Sequence, residues 1–247
     1  MTPKFLGIIP ARYASTRFPG KPLALLGNKP MIQWVYETAS QVFQHLAVAT
    51  DDRRISEAVE AFGGKAIMTS TSHRSGTDRC AEALHLFTGA SSSSFTHIVN
   101  IQGDEPLLQQ EQLSLLRECI LESEADIATL IRRVEDPSDL ASPHVVKVVV
   151  DNRFKALYFS RAPIPFQRDT MDPSTGIPMY AHLGLYAFRA EILEKVVALP
   201  PSPLELTESL EQLRWLENGY SVQTAITRFH ARGIDTPEDL QRLSSIL

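Results

Sequence analysis

Short apolar runs alternate with amphipathic segments along the first hundred residues. The runs with the length of buried strands are FLGII (5–9), LAVAT (46–50), AIMT (66–69) and HIVNIQ (97–102). The segments between them with apolar residues at helical spacing are residues 31–43, 54–64 and 78–87. Strands that alternate with helices pair in parallel, so this half of the chain predicts a layered α/β sandwich.

The second half has a different pattern. Residues 145–150 and 155–161 flank the turn DNR and predict a β-hairpin, and residues 182–189 predict a further strand. One amphipathic helix is predicted over residues 204–220, followed by a strand at 221–227. We therefore expect a mostly parallel sheet with an antiparallel excursion in its second half.

The first loop carries a concentration of cations. PARYASTRFPGKP (10–22) contains three cations, two hydroxyls and a glycine, namely Arg12, Arg17, Lys21, Ser15, Thr16 and Gly20. Ligands of open α/β sheets bind at the carboxyl ends of the strands, so this loop after the first strand predicts a di- or triphosphate site. Neither a Walker loop nor a dinucleotide fingerprint is present. The alternative is a solvated turn with ordinary surface cations.

Two neighbouring carboxylates follow the strand at 97–102. Asp104 and Glu105 are expected at the same edge of the sheet as the first loop. Magnesium is held by carboxylates together with substrate phosphates, so one aspartate facing a triphosphate would be sufficient. The alternative is a turn through Gly103, Asp104 and Pro106 without any metal.

Two helix starts place further polar residues. HRSGTDR (73–79) predicts a turn through Ser75 that leads into a capped helix. In GIDTPEDL, Thr236 fits the N-cap of the last helix, which leaves Asp235 just outside it. Asp235 is then either a favourable charge at the helix dipole or a second carboxylate for a metal.

Composition narrows the class of protein. The chain has 247 residues, 43% of them hydrophobic, which is enough for one sizeable core, and a net charge of −5, which disfavours a general nucleic-acid binder. Cys80 and Cys119 are expected to be reduced thiols in or near the core. The histidines and cysteines lack zinc spacing, and no apolar run has the length of a signal peptide or a membrane span. We expect a cytoplasmic protein.

Nine motifs together resemble one family over nearly the whole chain. They are IIPARYASTRFPGKPL, HRSGTDR, NIQGDEP, VVKVV, YFSRAPIP, HLGLYAF, PSPLE, LEQLRWLENG and GIDTPEDL, in the order seen in 3-deoxy-manno-octulosonate cytidylyltransferases. The resemblance implies that CTP and the acid sugar Kdo react to give CMP-Kdo and pyrophosphate for lipopolysaccharide synthesis. It also implies a single Rossmann-like, GT-A-like nucleotide-diphospho-sugar-transferase domain over residues 1–247. A β-rich dimerisation and sugar-binding part would cover about residues 145–190, in a homodimer without nucleic-acid or membrane partners.

The resemblance also implies site residues. Arg12 and Lys21 resemble the catalytic residues that bind the triphosphate. Asp104 and Asp235 resemble the catalytic Mg²⁺ ligands. Those that would line the nucleotide with Arg12 and Lys21 are Ser15, Arg74, Ser75, Gly76 and Gln102. Those that resemble residues around the sugar acid are Gln102, Arg161, His182, Tyr186, Glu211 and Gln212.

Some of these assignments depend on the resemblance alone. Without it, His182 and Tyr186 would be core-edge residues on one strand face, and Glu211 and Gln212 a solvated helix face. Arg161 would be the end of a hairpin. The chain also departs from the family at two positions, since Arg74 stands where members vary and Phe188 where an aromatic hydroxyl is common.

Other functions remain open at this point. A related acid sugar, such as 8-amino-Kdo or a sialic acid, could replace Kdo as the substrate. A non-catalytic nucleotide-binding protein could use the same fold. A glycosyltransferase is disfavoured, because it needs no triphosphate cradle.

Overall fold

The computed structural model describes residues 2–14, 17–89, 95–168, 178–229, 233–234 and 236–244. Two residues of the predicted site, Ser15 and Asp235, therefore lie outside the described residues. The chain divides into two compact units. The first unit comprises Met1–Ser114, Phe188–Val197 and Ala231–Leu247, and the second comprises Leu115–Ala187 and Ala198–His230.

Strands and helices alternate between residues 31 and 150. The strands are β1 (Phe5–Ala11), β2 (Leu25–Leu26), β3 (Lys29–Pro30), β4 (Leu46–Thr50), β5 (Ala66–Met68), β6 (His97–Asn100), β7 (Ile127–Arg133), β8 (Lys147–Val150), β9 (Ala156–Ser160), β10 (Tyr180–Arg189) and β11 (Val222–Ile226). The helices are α1 (Met31–Ser40), α2 (Arg53–Ala61), α3 (Gly76–Thr88), α4 (Gln110–Glu122), α5 (Pro137–Ala141), α6 (Ala190–Val197), α7 (Pro203–Glu208), α8 (Glu211–Glu217) and α9 (Pro237–Ser244), with a short 3₁₀ helix at Lys21–Leu23.

A parallel sheet forms the centre of the first unit. Its strands lie in the order β6-β1-β4-β5, and β1 pairs in parallel with both β4 and β6. All five residues of β4 are buried, as the continuous apolar run LAVAT requires of a strand covered on both faces. A Cβ on Gly7 of β1 would lie 2.8 Å from Leu46 Cδ1, so a larger residue would require the Leu46 side chain to shift.

Side-chain caps begin the helices that follow β4 and β5. Asp52 accepts a hydrogen bond from the amide of Arg54 at 2.9 Å and begins α2. Ser75 and Asp78 form a reciprocal capping box at the start of α3. These caps satisfy amides that have no partner within the helix. Both helix starts lie at the carboxyl edge of the sheet, because the helices follow the parallel strands β4 and β5.

The second unit contains the antiparallel part of the structure. β7 pairs in parallel with β11 and lies next to β10, while β8 pairs antiparallel with both β10 and β9. Its core includes the fully buried side chains of Trp215 and Phe159. The expected α/β class, with mostly parallel strands and an antiparallel excursion in the second half, is confirmed.

The strands and most of the helices proposed from the sequence are present, but one helix is wrong. Residues 204–220 form two helices, α7 and α8, instead of one. Ser209 lies between them in the left-handed region, at φ 53° and ψ 48°. It is the C-cap of α7, and its amide donates a hydrogen bond to the carbonyl oxygen of Glu205. β7 and α4 are not among the elements predicted from the sequence, although α4 buries Leu113, Leu116 and Ile120 at helical spacing.

Two expectations from the composition concern the cysteines and the presence of membrane-spanning helices. Cys80 and Cys119 are both buried free thiols, and burial raises the pKa of Cys119 to about 11. Within the ranges that the structure describes, no helix has the length and apolar character needed to cross a membrane.

Replacing Ser209 by glycine is expected to stabilise the second unit. The left-handed conformation costs a residue with a Cβ about 1 kcal/mol, part of which is offset by the greater freedom of glycine in the unfolded chain. Urea unfolding of Ser209→Gly is expected to show a higher midpoint than that of the wild type. Ser209→Ala keeps the Cβ and serves as the control, and a gain in both variants would contradict the backbone explanation.

Candidate active site

A cleft of about 290 Å³ opens in the first unit, at the carboxyl ends of β1 and β6. Its described lining includes the basic side chains Arg12, Arg17, Lys21, His73, Arg74 and Arg79. Asp104 is the acidic side chain among the described lining residues. Cations concentrated in a concave surface attract anions, so this cleft is suited to a polyphosphate.

Two glycines let the surrounding loops approach β1. A Cβ on Gly103 would lie 3.1 Å from the carbonyl oxygen of Pro10, and a Cβ on Gly76 would lie 3.2 Å from Pro10 Cγ. Neither neighbour is the end of a flexible side chain, so larger residues would push the loops outward. The two glycines therefore bring the start of α3 and the loop after β6 to the end of β1.

A short ion pair joins the first loop to the loop after β6. Lys21 Nζ lies 2.6 Å from Asp104 Oδ2, and the two side chains are 12% and 32% exposed. The amide of Ile234 also donates to the carbonyl oxygen of Asp104 at 2.9 Å. The segment that immediately precedes Asp235 in the sequence is thus hydrogen-bonded to the residue predicted to bind metal.

The structure distinguishes the two neighbouring carboxyls. Burial, together with the charge of Asp104, raises the pKa of Glu105 to about 8, so Glu105 is mostly protonated at neutral pH. Its Oε2 has no hydrogen-bond partner among the described residues. Asp104 lines the cleft and Glu105 does not, which makes Asp104 the candidate ligand of the pair.

Side chains of α3 hold the loop between β5 and α3. Arg79 is almost fully buried and donates to Thr69 Oγ1 at 2.6 Å and to Asp51 Oδ2 at 2.8 Å. Glu82, one turn further along, accepts hydrogen bonds from the amide of Ser70 and from His73 Nε2. The loop that presents Arg74, Ser75 and Gly76 to the cleft is therefore fixed from the helix side.

The structure brings most of the predicted nucleotide residues together. The predicted residues that line the cleft are Arg12, Lys21, Arg74, Ser75, Gly76, Gln102 and Asp104. Arg17, one of the three loop cations from which the phosphate site was predicted, also lines it, as do His73 and Arg79, for which the sequence predicted no role. Arg79 could have been found, because it lies in the first turn of a predicted helix, whose side chains point back toward the helix start.

The predicted sugar residues other than Gln102 lie in the second unit, where two form an aromatic cluster. The His182 and Tyr186 ring centroids lie 5.2 Å apart, and Tyr186 meets Trp215 edge-on at 4.9 Å. His182 Nε2 lies 2.9 Å from Thr129 Oγ1. Burial lowers the pKa of His182 to about 3, and burial with the charge of Glu211 raises the pKa of Tyr186, so both side chains are neutral at pH 7.

Arg161 is held by main-chain carbonyls. Its guanidinium donates to the carbonyl oxygens of Glu208 at 2.8 Å, Pro143 at 2.9 Å and Ser209 at 3.2 Å. These contacts join Arg161 to the break that precedes α8, the helix that begins with the other two predicted sugar residues.

Those two residues differ in their surroundings. Glu211 Oε1 accepts a hydrogen bond from Arg214 at 2.8 Å, whereas Gln212 is only 5% exposed. The solvated-face interpretation is therefore wrong for Gln212. Phe188, at the position where the family commonly has an aromatic hydroxyl, is fully buried in the first unit.

The described residues contain no group of three or more histidine, cysteine, aspartate or glutamate side chains that could hold a metal by themselves. A metal in the cleft would therefore need ligands from the substrate or from Asp235. This donor set fits Mg²⁺, which is commonly bound by one or two carboxylates plus phosphates and water.

The fold and the cleft define the class of protein as a nucleotidyltransferase. The Cytidylyltransferase family matches residues 6–226 of the chain. The chain is 41% identical to a solved CMP:2-keto-3-deoxy-manno-octonic acid synthetase complexed with CTP, with a TM-score of 0.89 and 98% of each chain covered. A 4-diphosphocytidyl-2C-methyl-D-erythritol synthase from Anaerococcus prevotii shares the fold, with a TM-score of 0.63 at 14% identity.

Curated relatives define the family more narrowly. The 3-deoxy-manno-octulosonate cytidylyltransferase of Bacteroides thetaiotaomicron is 52% identical over 249 residues, which cover 99% of this chain and 98% of the relative. The enzyme of the same description from Thermodesulfovibrio yellowstonii is 50% identical over 240 residues, covering 95% of this chain and 94% of the relative. The chain belongs to the 3-deoxy-manno-octulosonate cytidylyltransferase family, which confirms the resemblance and the nucleotidyltransferase fold expected from the sequence.

Acid is expected to destabilise the second unit through His182. Above pH 6.5 the histidine is neutral in both states, but below it the unfolded chain takes up a proton that the folded protein rejects until about pH 3. The stability contributed by neutral His182 is thus present above pH 6.5 and is lost as the pH falls. Between pH 7 and pH 5 the loss is up to about 2 kcal/mol.

Urea unfolding at the two pH values measures this loss. His182→Phe is expected to lose less stability on acidification than the wild type, whereas His144→Asn, at an exposed histidine, is expected to behave like the wild type. Equal pH dependence in all three proteins would show that His182 titrates normally in the folded state.

Proposed function

We propose that this chain transfers the CMP group of CTP to the anomeric hydroxyl of Kdo and releases pyrophosphate. The observation that carries the proposal is the cationic cleft, which Arg12, Lys21 and Arg74 line together with Asp104, the ion-pair partner of Lys21. The family membership and the CTP complex of the solved relative support CTP as the nucleotide.

The reaction requires no covalent intermediate with the protein. The sugar oxygen forms a bond to the α-phosphorus of CTP while the bond from that phosphorus to the bridging β-phosphate oxygen breaks, and the hydroxyl proton passes to solvent. Phosphoryl-type transfer depends mainly on positioning and on neutralising charge. Arg12 and Lys21 hold the triphosphate and offset the charge that develops on the departing pyrophosphate.

Mg²⁺ is part of the proposal. Asp104 and Asp235 would hold it together with phosphate oxygens, and the cation would neutralise phosphate charge and acidify the attacking hydroxyl. Support comes from the partly exposed carboxylate of Asp104 in the cleft and from the hydrogen bond between Ile234 and Asp104. Because Lys21 contacts Asp104, it would exchange this carboxylate for phosphate when the metal and nucleotide bind.

The sugar acid is assigned to residues predicted from the family resemblance. We propose that His182, Tyr186, Glu211 and Gln212 of the second unit bind Kdo and that Arg161 pairs with its carboxylate, since a guanidinium can bind a carboxylate in a bidentate manner. The neutral state of the His182 imidazole suits hydrogen bonding to sugar hydroxyls.

Pyrophosphate release tests this function. The wild type is expected to release pyrophosphate from CTP plus Kdo only when Mg²⁺ is present, and chelation should stop the reaction. Parallel reactions with 8-amino-Kdo and a sialic acid test the sugar. Faster release with either of these would reassign the substrate, and CTP binding without release with any sugar would identify a non-catalytic nucleotide binder.

Asp104→Asn tests the metal within the same assay. The amide keeps the side-chain size but removes the charge, so turnover is expected to be nearly abolished while the melting temperature stays close to that of the wild type. Glu111→Gln, at an exposed position early in α4, is the matched control and should keep full activity. Wild-type turnover in Asp104→Asn would remove the metal assignment.

A homodimer in the cytoplasm, supplying CMP-Kdo for lipopolysaccharide synthesis, completes the proposal. The second unit exposes large apolar side chains, including Leu157 at 60% and Phe166 at 86%, and burial against a second copy would remove them from water. Light scattering after size-exclusion chromatography should give twice the mass of the chain, and a monomer at assay concentration would contradict the dimer.

A further inference from the structure

The cation-bearing loop after β1 is closed by a hydrogen bond between its two ends. The amide of Gly20 donates to the carbonyl oxygen of Tyr13 at 2.9 Å. Arg12 immediately precedes Tyr13, and Lys21 immediately follows Gly20. The backbone positions of the two proposed triphosphate binders are therefore tied to this closure.

The ring of Tyr13 packs against the other end of the loop. Gly20 has φ 73°, and a Cβ there would lie 3.0 Å from Tyr13 Cζ and 3.1 Å from its Oη. Gly20 and the ring thus pack in direct contact, in a conformation that disfavours any other residue. Displacement of the ring would remove the surface against which the end of the loop rests.

The same ring is held by a side chain of α2. The guanidinium carbon of Arg54 lies over it, 3.3 Å from the ring centroid. Arg54 is oriented by Asp52, with Nε to Oδ1 at 2.9 Å and Nη2 to Oδ2 at 2.7 Å. This bidentate pair fixes the plane of the guanidinium and matches it to the face of the ring.

Asp52 connects these contacts to the sheet. It lies two residues beyond β4, its amide donates to Thr50 Oγ1 at 3.2 Å, and it is the N-cap of α2. In the β1–β4 pair, Thr50 lies opposite Ala11. The contacts from Asp52 through Arg54 to Tyr13 therefore connect the end of β4 to the loop that follows β1.

We propose that Tyr13 and Arg54 are positioning residues that hold the loop of Arg12 and Lys21 in the shape that binds the triphosphate of CTP. Neither Tyr13 nor Arg54 is among the described residues that line the cleft, so both act through their neighbours. The inference rests on the proposed function. Its physical basis is that small displacements of groups that bind a reacting phosphate cost large factors in rate.

The rival explanation is that Arg54 attracts the nucleotide by its charge. The two explanations differ for Arg54→Lys, which keeps the charge but loses the planar group that stacks on the ring and pairs with Asp52 in a bidentate manner. If Arg54 acts by positioning, Arg54→Lys should bind CTP as weakly as Arg54→Ala. If it acts by attracting the nucleotide, Arg54→Lys should bind CTP as tightly as the wild type. Arg53→Ala removes a neighbouring exposed arginine of α2 and is the matched control.

For Tyr13, phenylalanine keeps the ring and alanine removes it. Tyr13→Phe is expected to keep a wild-type KM for CTP, whereas Tyr13→Ala, Arg54→Ala and Arg54→Lys are expected to raise it by about tenfold and to lower kcat. The KM for Kdo should stay within about twofold of the wild type in all of them, because a local change in the loop leaves the sugar residues unchanged. Loss of stability alone would not separate the two substrates in this way.

Calorimetric titration with CTP keeps the test independent of turnover. If the wild type binds CTP but releases no pyrophosphate, the proposed function fails, while the order of CTP affinities among the variants still decides the positioning. An unchanged CTP affinity in Arg54→Ala, whose side chain is exposed and whose loss should leave the fold intact, would overturn the proposal. So would an Arg54→Lys variant equal to the wild type, or an Arg53→Ala variant as weak as Arg54→Ala.

Discussion

The contact between Lys21 and Asp104 is the interaction on which the candidate active site depends. It joins loops that follow two neighbouring parallel strands, which are paired from Phe5 with His97 to Ile8 with Asn100. Parallel pairing brings both loops to the same edge of the sheet. Opposite charges at 2.6 Å attract, and the carboxylate also offsets repulsion among the neighbouring cations. The cleft can therefore assemble its cations before a polyphosphate arrives.

Helices and strands could be predicted from the sequence where the local hydrophobic pattern determines them. The prediction failed where a tertiary contact determines where a helix ends. Continuous apolar runs such as LAVAT mark buried parallel strands, because both of their faces are covered. The helix expected over residues 204–220 has a continuous apolar pattern, yet it ends at Glu208. At this break Ser209 is in the left-handed region, and Arg161 donates hydrogen bonds to the carbonyl oxygens of Glu208 and Ser209. Arg161 is distant in sequence, so the local pattern does not reveal these contacts.

The candidate site shows the same division. The positions of Arg12 and Asp104 in the cleft could be predicted, because each closely follows a buried strand, where a charged residue has no packing role. Lys21, ten residues beyond β1, could be predicted from the concentration of cations in the same loop. Local spacing could not reveal that burial leaves Glu105 protonated beside a charged aspartate, or that Gln212 is buried on a helix that carries charged neighbours. Both outcomes depend on which other elements cover the side chain, and a single sequence does not contain that information in its periodicity.

Cations that bind a ligand need support that does not compete with the ligand for their charge. Arg79 pairs with Asp51 and with the loop behind the cleft, so it contributes by holding the shape of that loop. Arg12 and Arg74, in contrast, are exposed at the surface of the first unit. Stacking by Tyr13 provides shape in another way, since an aromatic ring supports the loop without placing a carboxylate near the phosphates. Asp52 supplies the matching negative charge to Arg54, outside the described lining of the cleft. Asp104 is the carboxylate that does line the cleft, and the binding of a metal ion would explain why a negative charge lies there.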